Sequence, residues 1–185
     1  KLTNDIGYVK VTRFSGRTGE ELEGAIGDLL LQGSQKLILD LRGNGRGYLE
    51  QAVVVANQFI EKGRRLVYTE GRYRKSRENH LGRRDPIFAP DLPLIVLVDR
   101  FSASASEIVA GAIQDYDRGL VVGHTTFGKG LVQKQFYLKN QGAVLLTIAR
   151  YFTPSGRPIQ RPFSEDREAY QKEGYDDYDP NVDPD

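Results

Sequence analysis

Two short, almost unbroken apolar runs constrain this chain more than any other feature. Residues 37–41 read Leu-Ile-Leu-Asp-Leu and residues 94–98 read Leu-Ile-Val-Leu-Val. A strand with one face in water alternates apolar and polar residues, whereas an unalternating run describes a strand buried on both faces. Such strands need helices over each side, and the intervening segments supply them. Leu22, Ile26, Leu29 and Leu30 keep helical spacing behind Thr18-Gly-Glu-Glu21, which reads as a capping box, and Gly33 stands where a C-cap glycine belongs. Residues 49–60 read as a second, mostly apolar helix, and residues 106–116 as a third with Ile108, Ala112 and Ile113 on its inner side. Residues 6–11, 66–69 and 120–122 read as further strands, and residues 70–90 as a long polar loop. Residues 131–138 and 143–151 predict a hairpin across Lys139-Asn-Gln-Gly142. The alternation of strands and helices predicts an α/β domain with a largely parallel central sheet.

Composition removes several kinds of chemistry. The chain of 185 residues is long enough to bury one substantial core. It has no cysteine, which excludes disulfides, thiolate metal sites and a cysteine nucleophile. Two histidines are too few for a His-rich metal site and leave little for a Ser-His-Asp triad. No run of 18 apolar residues is present, and no basic-then-apolar leader opens the chain, which begins at Lys1 without a methionine. The net charge of +1 conceals an asymmetry: residues 165–185 carry nine acids and two bases, leaving a surplus of positive charge on the body. That acidic segment, residues 164–185, reads as a loosely held tail behind a core of residues 1–163. Nine bases crowd residues 62–84, but Tyr73 is the single aromatic interleaved between Gly71 and Arg84. This stretch is therefore read as a solvated loop, partly neutralised by the tail, and no nucleic-acid partner is expected.

In parallel sheets, chemistry gathers at the carboxyl ends of the strands. That rule selects three loops: residues 42–47, 99–106 and 123–130. The last reads Gly-His-Thr-Thr-Phe-Gly-Lys-Gly and fits G-x-x-x-x-G-K, but glycine replaces the magnesium-binding hydroxyl and a strand follows where a phosphate loop opens a helix. The middle loop carries Ser102, Ser104 and Ser106 alternating with alanines. A serine in the first turn of a helix gains from the positive end of the helix dipole, although Ser104-x-x-Glu107 is also a capping box. Local sequence does not choose among the three hydroxyls. For a base, His80 lies in the basic loop and nothing couples His124 to a serine. Lys129, flanked by two glycines between strands, is the stronger candidate, and Gln133 lies four residues on, on the same side if the strand is extended. A lysine serves as a base when its surroundings lower its pKa, as in Ser-Lys catalytic pairs.

Four ordered motifs give the chain a family resemblance. Residues 102–112 (Ser-Ala-Ser-Ala-Ser-Glu-Ile-Val-Ala-Gly-Ala), with Val-Val-Gly at 121–123 and Thr126-Phe-Gly-Lys-Gly-x-Val-Gln133, resemble the core of the carboxyl-terminal processing, or tail-specific, serine proteases. Leu39-Asp-Leu-Arg42-x-Asn44-x-x-Gly47 and Ala149-Arg-Tyr-Phe-Thr-Pro-Ser-Gly-Arg157-x-Ile-Gln160 match two further stretches. The resemblance implies a crotonase-like (ClpP/crotonase) α/β core that cleaves protein or peptide substrates near accessible C-termini, without a cofactor. It assigns the nucleophile to Ser104, the base to Lys129, its positioning to Gln133, and the oxyanion hole to the backbone N–H groups of Ala105 and Gly47. It implies the bacterial cell envelope or periplasm, with any membrane association through other segments. It also implies a PDZ module ahead of the core; with no room before Ile6, an excised core or a member without that module is expected. The alternative is a non-catalytic peptide-binding or scaffold member of the fold. One departure stands out: the family's turn ends in two glycines, whereas Arg46 precedes Gly47 here, with strain expected if position 46 needs a positive φ.

Overall fold

The computed structural model describes residues 1–2, 5–139 and 142–163; the acidic tail expected from the sequence lies outside them. The chain runs β1 (Ile6–Lys10), α1 (Thr18–Leu31), β2 (Lys36–Asp40), α2 (Leu49–Ala56), β3 (Arg65–Glu70) and β4 (Glu78–Leu81). It continues through β5 (Leu94–Val98), α3 (Ala105–Asp115), β6 (Leu120–Gly123), β7 (Leu131–Tyr137) and β8 (Ala143–Phe152). Four strands form a parallel sheet in the order β1-β2-β5-β6, and the other four a second sheet in the order β4-β3-β8-β7.

The two apolar runs are the central strands of the parallel sheet, as their lack of alternation requires. Leu39 and Val96 are fully buried register partners there. α3 is enclosed on every side, with each residue from Ala105 to Ile113 buried. It packs on α2, β3 and β6, between the two sheets. Its small residues permit this, since a side chain at Gly111 would meet Thr153 Cγ2 at 2.7 Å.

The structure corrects several local expectations. β3 leaves the parallel succession and pairs antiparallel with the last residues of β8, Tyr68 stacking on Phe152 at 5.2 Å. Residues 70–90 are not all loop: they contain β4, antiparallel to β3, and its charged sequence Glu-Asn-His-Leu shows no apolar alternation because it is an exposed edge. Thr18 is the first residue of α1 rather than its cap; its hydroxyl accepts from Ser15 N at 2.9 Å and donates to the Arg13 carbonyl at 3.0 Å. α2 ends at Ala56, four residues early, where the Asn57 amide turns to bind Ile60 O, Arg84 O and the N–H groups of Arg83 and Arg84. Within the basic stretch, Arg84 pairs with Glu23 of α1, so a body carboxylate meets a charge the tail was expected to meet. Gly33 does end α1 with φ +81°, and the following N–H groups return to Leu30 O and Leu29 O. No described helix is long and apolar enough to cross a membrane.

Candidate active site

Parallel strands end on one side of their sheet, and here the loops leaving them converge. β1 leads to Arg13, β2 to residues 41–47, β5 to residues 99–104 and β6 to residues 124–130. They enclose an open cleft of about 530 Å³ whose walls are Thr12, Arg13, Gly43, Gly45, Arg46, Phe101, Ala103, Phe127 and Lys129.

Two carboxylates, one buried and one half-buried, fasten these loops. Asp40, fully buried at the end of β2, accepts the Arg42 guanidinium at 2.8 and 3.0 Å, the Arg42 backbone N–H at 3.0 Å and the Tyr8 hydroxyl at 2.6 Å. Burial pushes this carboxyl up, but the bonds from Arg42 and Tyr8 outweigh it and hold the pKa at about 2. Asp99 accepts Gly43 N on both oxygens at 3.0 Å, together with Phe101 N and Ser102 N. Asn44 completes the stitching: its amide donates to Val11 O at 2.7 Å, and its carbonyl accepts Ala103 N and the Ser106 hydroxyl.

The three serines now differ. Ser102 and Ser106 are fully buried, and each hydroxyl donates to a backbone carbonyl, Leu41 O at 2.9 Å and Asn44 O at 2.8 Å respectively. Ser104 is half-buried at the head of α3, with φ 56° and ψ −107°. A non-glycine residue at positive φ stores about 1–3 kcal/mol of strain, which persists where the surroundings over-determine it.

Glu107 supplies much of that determination. Its Oε2 accepts Ser104 N at 2.7 Å and Lys129 N at 2.9 Å; its Oε1 accepts Gly128 N at 2.6 Å and the Thr126 hydroxyl at 2.8 Å. One carboxylate oxygen thus holds the backbones of Ser104 and Lys129 together. Burial raises the Glu107 pKa, against these four opposing bonds. The capping box foreseen at Ser104 exists in this sense, but the same carboxylate reaches on to a loop 21 residues away, a role sequence spacing did not reveal. The only local signal is an acid in the first turn of an otherwise apolar helix. Because Gly128 N and Lys129 N are occupied by Glu107, and β7 rather than a helix follows, residues 123–130 are not a phosphate loop.

Gly47 bridges Phe14 in parallel register, with Phe14 N donating to Arg46 O and Tyr48 N to Phe14 O. This pairing turns the Gly47 N–H the other way. Its φ is +151°, and a side chain there would lie 2.1 Å from Phe14 Cβ, so only glycine fits. Arg46 is not among the described residues with positive φ, so the strain expected at that departure is absent; its side chain instead lines the cleft. Ala105 opens α3, where first-turn N–H groups have no helical acceptor. Lys129 is exposed on the cleft wall, and Gln133 is exposed on β7, with no hydrogen bond between them among the described residues. His124 is exposed, and His80 lines a separate cavity beside Glu20 and Glu50.

Comparison with known proteins now bears on this geometry. A model of peptidase family S41 matches residues 5–168. The chain belongs to peptidase family S41. The carboxy-terminal-processing protease of Bartonella bacilliformis is 42% identical over 167 residues, covering 86% of this chain and 37% of that protein. The carboxyl-terminal-processing protease of Synechocystis is 38% identical over 156 residues, covering 84% of this chain and 36% of that protein. Among solved structures, the photosystem II D1 C-terminal processing protease superposes with a TM-score of 0.77 at 37% identity, covering 84% of this chain and 39% of that one. This S41 chain therefore spans little more than a third of the curated relatives it matches. The α/β arrangement of a parallel sheet with an antiparallel partner is similar to that of this solved protease.

Proposed function

We propose that this S41 chain is the catalytic core of a serine endopeptidase in which Ser104 and Lys129 form the reacting pair. The single observation that carries the reading is the Glu107 carboxylate oxygen shared by the backbones of Ser104 and Lys129, at 2.7 and 2.9 Å. The neutral Lys129 amine takes the Ser104 Oγ proton as Oγ attacks the scissile carbonyl carbon. The resulting oxyanion accepts from the N–H of Ala105, a first-turn donor with no helical acceptor, and from the N–H of Gly47, which is not spent on Phe14. The lysine ammonium then protonates the leaving amine, and the peptide bond breaks to leave an acyl-serine. A water deprotonated by the same amine attacks the acyl carbon and restores Ser104. Gln133, on the strand behind the lysine, positions the amine. A lysine becomes a competent base by losing water, and Lys129 is exposed here; a peptide lying in the cleft supplies that cover. Substrates are proteins cut near accessible C-termini, a reading supported by the carboxy-terminal processing that the relatives' names give for those proteins, and work in a bacterial cell envelope is carried by family resemblance alone.

The test is Ser104→Ala in the longest natural form of the protein, with cleavage of a protein ending in apolar residues as the readout. A loss of at least about 10³-fold in turnover is expected. Unchanged turnover would sink the assignment.

A further inference from the structure

We infer that the cleft selects substrates carrying a side-chain carboxylate within a few residues of the scissile bond, and that Arg13 and Arg46 read it. This rests on the peptidase reading of the same cleft. Every charged residue on the cleft wall is a cation: Arg13, Arg46 and Lys129. The carboxylates that fasten these loops are already occupied by protein donors, and Glu21, which lines the neighbouring hollow with Arg13, forms no ion pair with it. Asp40 holds Arg42 and Tyr8, Asp99 holds three backbone N–H groups, and Glu107 holds four donors. Arg13 and Arg46 are exposed and form no ion pair with any described residue.

Backbone geometry then places the two arginines together. Phe14 and Gly47 are parallel register partners, so the residues preceding them, Arg13 and Arg46, stand side by side on paired segments. Their carbonyls are pinned, Arg13 O by the Thr18 hydroxyl and Arg46 O by Phe14 N. Like charges opposed across paired strands are unfavourable. An anion between them reverses the sign, and guanidinium groups bind carboxylates through two parallel N–H bonds. Phe101, 39% exposed at the same wall, and Phe127 provide apolar sides against which the stem of an acidic residue packs. Arg46 also stands next to Gly47, so a carboxylate held there lies close to the bond being cut.

The experiment uses ten-residue peptides, amidated at the C-terminus, through which one glutamate is walked, each matched by a peptide with glutamine at that place. Binding to the full chain carrying Ser104→Ala is followed by fluorescence anisotropy at low and high salt, and kcat/KM is measured on the active protein. Glutamate peptides should bind roughly tenfold more tightly at two or three adjacent positions, an advantage reduced by salt. The advantage should disappear in Arg13→Gln/Arg46→Gln, while Arg46→Glu should turn the preference toward lysine peptides. Equal binding, or a preference that survives the double variant, overturns the inference. So does a preference seen only with peptides bearing a free C-terminus, which would assign the arginines to the terminal carboxylate. Selective binding without cleavage by the active protein would refute the peptidase reading and leave the cleft assignment standing. Cleavage of both peptide sets at equal rates would do the reverse.

Discussion

The two sheets are built on opposite principles, and the proposed chemistry straddles them. In the parallel sheet, β2 and β5 are buried, and the loops at their ends are tied by Asp40, Asp99 and Asn44 into the same core that holds α3. In the antiparallel sheet, β3 pairs with the last three residues of β8, and the rest of β8 pairs with β7 alone among the described residues. Leu145 and Leu146 there are 58% and 50% exposed. Ser104 belongs to the first region and Lys129 with Gln133 to the approach to the second. The difference teaches that a nucleophile can inherit its rigidity from a packed core, while a base on an exposed strand entry depends on particular ties back to that core. Glu107 is such a tie.

The contrast breaks first, and most severely, if core substitutions prove cheap. Leu39→Ala removes a fully buried side chain between two covered strands and should cost about 2–5 kcal/mol in denaturant unfolding. Leu145→Ala, at an exposed position of β8, should cost under about 0.5 kcal/mol by the same measurement. Comparable costs would mean that the two sheets are not as different as their burial implies.

The dependence on Glu107 is tested by Glu107→Gln. An amide offers one acceptor oxygen to four converging donors, stranding buried N–H groups at a cost of about 1–3 kcal/mol. Cleavage should lose kcat more than it gains in KM at temperatures where the variant remains folded, because the substitution disturbs the alignment of Ser104 with Lys129. A variant that is merely less stable, with kcat intact when folded, would make Glu107 a helix cap and nothing more.

A further expectation concerns Asp40 and pH. Its carboxyl ionises at about 2 in the folded protein against an ordinary 3.8, so the folded state holds the proton less tightly than the unfolded one. The resulting stabilisation, about 2 kcal/mol, is fully present above about pH 4 and is lost as pH falls towards 2. Asp40→Asn should flatten the stability profile across that window. An unchanged profile would place the acid sensitivity elsewhere, at carboxyls such as Asp115, which is also held below its ordinary range.

Much of the fold was legible because its physics is local. The runs at residues 37–41 and 94–98 imply strands covered on both sides wherever they occur, and Gly33 stops a helix through its own φ. β4 was not legible, since an exposed edge strand needs no apolar pattern, and neither was the departure of β3 to the other sheet, which depends on β8 some eighty residues later. The site was legible to the level of its loops. Asp40 interrupts an apolar run and Glu107 opens an apolar helix, two acids whose setting marks them as held by something. What held them was not visible.

By itself, the sequence determined the parallel sheet, the loops at its carboxyl ends as the candidate site, and a lysine rather than a histidine as the candidate base in a chain with no cysteine and two histidines. Tertiary structure gave the physical difference between Ser104, which the family resemblance had singled out, and the carbonyl-bound Ser102 and Ser106, removed the strain anticipated at Arg46, and set Arg13 beside it. Periodicity and composition report what one segment wants to bury. Which hydroxyl is consumed by a carbonyl, and which cation is left without an anion, are decided by atoms brought together from distant parts of the chain.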